Sequence, residues 1–267
     1  MSTKHGKKGD ILLEMKDIRI DGFSDERWHK IIKGIDLTLH RGEVMGLIGE
    51  SGAGKSTLGL ASMGFTKPGC KITSGSVVFD GKDLVTASED EKRSLWGTRI
   101  AYVAQSAAAS FNPAHRLLNQ TVEASLNQNL QSRDLAEADA RNLYKQLQLP
   151  DPENIGDRYP HQVSGGQLQR MMTAMAMSPR PDLIIFDEPT TALDVTTQVE
   201  VLVAMRAIVE KFNTAALYIT HDLAVVAQMD DMIKVLRYGK EVEEADTRKM
   251  LKSPKEEYTK SLWSVRA

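Results

Sequence analysis

The feature that most constrains this chain is a glycine-rich run that follows a short apolar stretch. Gly49 and Gly54 stand five residues apart, and Lys55 and Ser56 follow directly. Glycines let the backbone turn tightly, so several N–H groups can converge on one anion. Lys55 can then reach the outer phosphates of a nucleotide, and the Ser56 hydroxyl can ligate Mg²⁺. The run predicts a phosphate-binding loop formed by Gly49, Glu50, Ser51, Gly52, Ala53, Gly54, Lys55, Ser56 and Thr57.

The segments on either side of the run support this prediction. Residues 44–48 are apolar and predict a buried strand that leads into the loop, and residues 57–61 predict the start of a helix. The positive end of such a helix favours phosphate groups. A glycine-rich turn without a ligand is the alternative, but average residue usage gives this pattern by chance in roughly one chain in a hundred of this length.

Bulk composition excludes several classes of function. The chain has 267 residues and a formal net charge of -2, which argues against sequence-independent binding of nucleic acid. Its only dense basic cluster lies in residues 1–10, where we expect a flexible tail. Cys70 is the sole cysteine, so an internal disulfide and a cysteine-based metal cluster are excluded. No apolar run is long enough for a transmembrane helix or a signal peptide, which predicts a protein that is soluble or peripheral to a membrane.

The order of predicted elements changes twice along the chain. Strands and turns dominate residues 11–105, helical patterns dominate residues 106–180, and alternation of strand and helix returns over residues 181–267. A helical subdomain inserted into a nucleotide-binding α/β core explains this order. Strands are predicted at 13–20, 35–40, 44–48, 77–79, 100–104, 183–186 and 215–220, helices at 167–177 and 196–212, and a loop at 21–30.

Two acids follow one of the buried strands. The apolar residues 183–186 lead directly into Asp187 and Glu188. Ligands of open α/β sheets bind at the carboxyl ends of strands, so both carboxylates are placed for chemistry. Asp187 is suited to hold Mg²⁺ through water, and Glu188 to orient or deprotonate an attacking water. Such acids are commonly structural, but together with the phosphate-binding loop they predict hydrolysis.

The segment Val163-Ser164-Gly165-Gly166-Gln167 offers a hydroxyl and bare backbone N–H groups at the start of a helix. Alone, it would indicate a turn that caps a helix. With this segment the chain resembles the ATP-binding cassette (ABC) ATPases, whose signature reads Leu-Ser-Gly-Gly-Gln; Val163 is a small apolar departure from it. The resemblance implies that Ser164, Gly165, Gly166 and Gln167 bind the γ-phosphate of ATP held by another subunit. Two such domains would then dimerise head to tail around two ATP molecules.

The other landmarks of that family occur in the expected order. Gln105 matches the Q-loop glutamine, which implies a role in sensing Mg²⁺ and the γ-phosphate. Residues 191–194 resemble the D-loop and imply that Asp194 lies at the dimer contact. His221 matches the switch histidine that contacts the γ-phosphate. The implied residues are, for catalysis, Glu188, His221, Lys55 and Gln105 and, for Mg²⁺, Ser56, Gln105 and Asp187.

Family members stack an aromatic residue on adenine upstream of the phosphate-binding loop. Phe23 and Trp28 are the two candidates here, and we favour Phe23. Either ring could instead anchor its loop. The family fold implied by the resemblance is a P-loop (RecA-like) α/β core with an antiparallel β subdomain and the inserted helical subdomain.

Finer features resemble one branch of the family, the ATPases of peptide and nickel importers. Residues 105–113 are similar to that group's Q-loop, in which Ser-Leu-Asn-Pro follows the glutamine, and residues 159–161 and 253–262 also match group segments. The resemblance implies membrane permease partners, indirect contact with an extracytoplasmic substrate-binding protein, and a position on the cytoplasmic face of the plasma membrane. The group often has a cysteine-containing tail that this chain lacks, so the cargo stays open among peptides, nickel, opines and sugar oligomers.

Two other functions remain as alternatives. A soluble ABC ATPase that acts on nucleic acid or ribosomes would usually contain two cassettes or a long coiled-coil insertion, and the sequence shows neither. An accessory cassette subunit of a multienzyme complex would be expected to have lost Glu188, His221 or Ser164, which are all present. The sequence leaves open whether the partner cassette is a second copy or a different chain.

Overall fold

The computed structural model of the chain describes residues 9–190, 193–221, 229 and 231–264. The fold divides into two compact units. The first contains the chain up to Arg93 and from Ala215 onward, and the second contains Ser94–Thr214. The narrower helical subdomain expected at residues 106–180 stays a prediction.

The described residues form ten strands and nine helices longer than three residues. The strands are β1 (Ile11–Ser24), β2 (Arg27–His40), β3 (Val44–Ile48), β4 (Cys70–Phe79), β5 (Lys82–Asp83), β6 (Ile100–Val103), β7 (Leu183–Asp187), β8 (Ala215–Thr220), β9 (Met232–Arg237) and β10 (Lys240–Asp246). The helices are α1 (Lys55–Ala61), α2 (Glu89–Leu95), α3 (Ala107–Ser110), α4 (Leu117–Asn127), α5 (Arg133–Gln146), α6 (Gly165–Met177), α7 (Val195–Lys211), α8 (Thr247–Lys252) and α9 (Glu257–Ser264).

An antiparallel sheet of order β2-β1-β4-β5 forms part of the first unit. The loop predicted at residues 21–30 is wrong, because β1 and β2 continue to a two-residue turn at Asp25 and Glu26. Both turn residues have positive φ, 50° and 62°, as the tightest hairpin turns require. The polar end of β1 is held by pairing with β4 as well as with β2.

Parallel strands in the first unit position the glycine-rich run. β3 pairs in parallel with both β8 and β9, and β10 runs antiparallel to β9. All five residues of β3 are buried, as expected of a central parallel strand. Because Ile48 lies opposite Thr220, Gly49 and His221 leave their strands at the same edge.

The second unit combines two parallel strands with most of the helices. β6 and β7 pair so that Tyr102 lies opposite Ile185, and α4, α5 and α6 pack on one another. The predicted strands at 100–104 and 183–186 and the helices at 167–177 and 196–212 are confirmed with small shifts at their ends. Among the described helices, none is long and apolar enough to cross a bilayer.

Candidate functional site

The phosphate-binding loop folds around its own lysine. The Nζ of Lys55 donates hydrogen bonds to the carbonyl oxygens of Gly49 (2.7 Å) and Glu50 (3.0 Å). Lys55 is the first residue of α1, and it is only 5% exposed. A buried ammonium must be paired or hydrogen-bonded, and the loop carbonyls supply that pairing. The loop thus holds a positive charge at the turn predicted to bind phosphate.

Two glycines of this loop are required for different reasons. A Cβ atom at Gly49 would lie 2.2 Å from the carbonyl oxygen of Leu236, which belongs to β9 and cannot move away easily. At Gly52 there is open space, but φ is +81°, a conformation that side-chain-bearing residues rarely adopt. The loop therefore needs glycine at Gly49 for close approach and at Gly52 for its turn.

The chain's last described helix contacts the same loop, a feature that sequence reasoning missed. The backbone N–H of Glu50 donates to the hydroxyl of Tyr258 on α9 over 3.4 Å. The guanidinium of Arg237 lies 4.3 Å from the centre of the Tyr258 ring. Burial raises the pKa of Tyr258 above its ordinary value. Only the three-dimensional packing links the C-terminal segment to the loop, because more than 200 residues separate the two.

The two aromatic candidates lie side by side in the hairpin of β1 and β2. Phe23 pairs with Trp28 across the strands, and their ring centres are 5.4 Å apart. Phe23 is 53% exposed and Trp28 47% exposed. The ammonium of Lys71 lies 3.8 Å from the centre of the Trp28 ring and covers one of its faces. Phe23 is therefore slightly the more exposed of the two rings, and its stacking on adenine stays a prediction.

In the second unit, the acids predicted for catalysis lie at the end of β7. Asp187 is 7% exposed, and the hydroxyl of Tyr102 donates to its Oδ2 over 2.6 Å. Burial, followed by the hydrogen bond to Asp187, raises the pKa of Tyr102 well above its usual range. Glu188 has φ of 48°, a left-handed conformation that such a residue adopts at a cost of about 1–3 kcal/mol. Backbone strain of this kind is frequent at functional sites.

Gln105 and Glu188 are brought together at the ends of neighbouring strands. Gln105 follows β6, and its Nε2 donates to Glu188 Oε2 at 3.4 Å. Gln105 also lines a cavity of about 340 Å³ with Gly165 and Leu193. The second unit therefore gathers the Q-loop glutamine, the candidate base and the glycine turn of the signature-like segment.

The signature-like segment caps α6. Ser164 Oγ accepts from the backbone N–H of Gln167 (3.3 Å), and the Gln167 side chain accepts from the backbone N–H of Ser164 (3.0 Å). This capping box explains why α6 begins two residues before the predicted start. A Cβ atom at Gly166 would lie 2.4 Å from Cγ2 of Thr197, so this glycine also permits α6 to approach α7.

Asp194 caps α7 in a similar way. Its carboxylate accepts from the backbone N–H (3.0 Å) and the hydroxyl (2.7 Å) of Thr197. These hydrogen bonds lower the pKa of Asp194. Thr197 thus connects Asp194 to Gly166, the two positions that the family resemblance places at a dimer contact. Thr191 and Ala192, also in the predicted D-loop, lie outside the described residues.

The donor atoms predicted for Mg²⁺ fit that metal. Ser56, Asp187 and Gln105 offer hydroxyl, carboxylate and amide oxygen atoms, which hard cations prefer. In the described part of the chain, no three His, Cys, Asp or Glu residues cluster as a dedicated metal cage. Mg²⁺ at nucleotide sites is usually held by one or two protein oxygens together with phosphates.

Comparisons with known proteins agree with these features. The sequence profile of the family described as "ABC transporter" matches residues 32–191. The oligopeptide transport ATP-binding protein OppD of Lactococcus lactis subsp. cremoris (strain SK11) is 37% identical over 255 residues, which cover 96% of this chain and 75% of that protein. The dipeptide transport ATP-binding protein DppD of Escherichia coli (strain K12) is 39% identical over 233 residues, covering 87% and 71% respectively.

Solved structures confirm the predicted fold class. The ATP-binding cassette MJ0796, in a dimeric post-hydrolysis state bound to ADP and Pi, superposes with a TM-score of 0.78 over 89% of this chain and 99% of that chain, at 24% identity. CbiO1 from Clostridium perfringens, part of the transporter complex cbiONQ, gives a TM-score of 0.78 over 91% and 92%, at 23% identity. The α/β core with an antiparallel sheet and helical parts is therefore that of a cassette ATPase.

Proposed function

This chain belongs to the ABC transporter family, and we propose that it is the ATPase subunit that powers a membrane importer of the peptide type. Binding and hydrolysis of ATP follow from family membership. The observation that carries the importer assignment is the identity to peptide-transport ATPases, which extends over 96% of the chain. Peptides are accordingly the first cargo to test, ahead of nickel and opines.

We assign the binding of ATP first to the loop of residues 49–57. Its backbone N–H groups and the Lys55 ammonium would bind the phosphates, and the loop geometry already keeps that ammonium buried beside Gly49. Phe23 would stack on the adenine because it is the more exposed of the two candidate rings.

The residues proposed for Mg²⁺ are Ser56, Asp187 and Gln105. When bound with ATP, Mg²⁺ neutralises negative charge that develops on the phosphates. Asp187 suits this role because it is buried at the end of β7 and one of its oxygens is already oriented by a hydrogen bond.

For hydrolysis we assign Glu188 as the general base that orients and deprotonates water. Its position at a strained turn beside Gln105 supports this role. His221, exposed at the end of β8, would contact the γ-phosphate. The proton taken by Glu188 comes from the attacking water, whose oxygen bonds to the γ-phosphorus. The bond that breaks joins the γ-phosphorus to the β–γ bridging oxygen, which leaves as part of ADP.

The proposal includes a second cassette, either another copy or a different chain. Ser164, Gly165, Gly166 and Gln167 of one cassette would bind the γ-phosphate of ATP held by the other, with Asp194 at the contact. ATP binding would close the pair and drive attached permease subunits between access states. The chain would then lie at the cytoplasmic face of the plasma membrane and meet the substrate-binding protein only indirectly.

Uptake by whole cells tests the proposal. Source cells that lack this chain are complemented with the wild type or with Glu188→Gln, and import of labelled dipeptides, oligopeptides and nickel is measured. We expect peptide uptake to return only with the wild type. Full peptide uptake in cells lacking the chain, with no permease copurifying with the tagged wild type, would contradict the importer function and favour a cassette that acts outside transport.

A further inference from the structure

Tyr102 lies on the strand beside Asp187 and is not among the residues assigned a role above. In the pairing of β6 with β7, Tyr102 is opposite Ile185, and Asp187 is two residues further along β7. Residues two apart on a strand share a face, so Tyr102 and Asp187 are diagonal neighbours on one face of the pair. The phenol spans that diagonal, and its hydroxyl reaches Asp187 Oδ2 at 2.6 Å.

We propose that Tyr102 is a positioning residue for Asp187 that fixes the carboxylate for metal binding. This inference rests on the proposed role of Asp187 toward Mg²⁺. The hydroxyl of Tyr102 engages one oxygen of the carboxylate and restricts rotation of the group about its Cβ–Cγ bond. A carboxylate that is already held in one orientation loses less conformational freedom when it binds a metal. Residues that hydrogen-bond to a metal ligand therefore strongly affect the affinity for the metal.

The geometry distinguishes this role from a general contribution to packing. Tyr102 is partly exposed, and it bonds to a carboxylate rather than to backbone. The second unit offers a matched comparison at Tyr144. Its hydroxyl donates to Thr121 Oγ1 over the same 2.6 Å, and the residue is fully buried among the helices. The Tyr→Phe change at either position removes one oxygen and one hydrogen bond of equal length.

The experiment measures Mn²⁺ affinity by electron paramagnetic resonance in the presence of AMP-PNP, a non-hydrolysable ATP analogue, with the full chain. We expect Tyr102→Phe to weaken Mn²⁺ binding about 10-fold, the lower end of the effect of losing an outer partner of a metal ligand. Metal-free binding of AMP-PNP should be unchanged, because Tyr102 acts only through Asp187. Tyr144→Phe should lower the midpoint of thermal unfolding while its Mn²⁺ affinity stays at the wild-type value.

Equal Mn²⁺ affinities for the wild type and Tyr102→Phe would overturn the inference. Asp187→Asn separates this failure from failure of the proposed function: if it weakens Mn²⁺ binding and Tyr102→Phe does not, only the role of Tyr102 is wrong. If Asp187→Asn also leaves the affinity unchanged, the proposed metal role of Asp187 is wrong as well. Should the Phe variant not fold, Tyr102→Met repeats the comparison, since methionine also lacks the hydroxyl.

Discussion

The ammonium of Lys55 lies 2.7 Å from the carbonyl oxygen of Gly49, so the phosphate-binding loop is closed on its own cation. Both groups belong to the turn that would receive the phosphates. The lysine is therefore ordered within the turn that we propose to bind phosphate, and its side chain would lose little additional freedom on binding a nucleotide. Such preorganisation favours affinity.

Replacing Lys55 by alanine should abolish most of the affinity for ATP. A hydrogen bond to a charged group contributes about 1.5–3 kcal/mol to binding, so its loss should increase the dissociation constant about 10- to 100-fold. Titration with a fluorescent ATP analogue measures this change. Lys82→Ala is the matched control, because Lys82 is an exposed lysine paired with Glu91 in the same unit. A wild-type dissociation constant for Lys55→Ala would contradict the role of the lysine.

Substitution of Gly49 by alanine should destabilise the first unit more than the same change at Gly52. The new methyl group at Gly49 would lie 2.2 Å from a backbone oxygen of β9, whereas at Gly52 it would meet only open space. The positive φ at Gly52 alone leads us to expect a loss of about 1–2 kcal/mol in the free energy of unfolding. Urea unfolding of both variants measures the difference, and equal losses would show that the loop moves freely away from Leu236.

Much of the fold could be predicted from sequence because its elements have local signals. The strand before the glycine-rich run and the strand before Asp187 are continuous apolar runs, and capping residues stand at the start of α6 and α7. The error in residues 21–30 has a physical cause. Polar side chains there suggested a loop, but pairing of β1 with β2 across the tight turn holds the segment in two strands, and β4 pairs with residues 21 and 22 as well.

The parts of the candidate site that consist of residues close together in sequence could be predicted from motifs. The contacts between residues that are far apart in sequence could not. The loop around Lys55 and the acids after β7 can be read from short segments. Tyr102 and Asp187 are 85 residues apart in sequence, and the hydrogen bond between them depends on the register of β6 against β7. The contact from Glu50 to Tyr258 depends likewise on the docking of α9. The local sequence pattern specifies neither the register of β6 against β7 nor the position at which α9 packs.

Changing Glu188 to glutamine should stop hydrolysis and leave ATP binding intact. Glutamine has the same shape and can occupy the same backbone turn, but it cannot accept a proton from water. Loss of a general base lowers turnover by about 100- to 10,000-fold. Phosphate release measures turnover, and light scattering should show a doubling of mass that requires ATP, as expected of a trapped pair of cassettes.

A second glutamine variant controls for the loss of a carboxylate. Glu210→Gln removes an exposed carboxylate on α7 that pairs with Arg206, and its turnover should equal that of the wild type. Turnover by Glu188→Gln at the rate of Glu210→Gln would exclude Glu188 as the base. If Glu188→Gln loses turnover but shows no doubling of mass with ATP, the result would instead contradict the proposed head-to-tail dimer of cassettes.

Alanine substitutions in the β1–β2 hairpin should decide which aromatic ring binds adenine. Phe23 is 53% exposed, whereas one face of Trp28 is covered by the Lys71 ammonium at 3.8 Å. Stacking of a base on an aromatic ring contributes about 1–3 kcal/mol, so Phe23→Ala should weaken ATP binding about 5- to 100-fold. Trp28→Ala should change it far less, and inorganic triphosphate should bind equally to both variants because it has no base. The opposite ranking in isothermal titration calorimetry would assign the stacking role to Trp28.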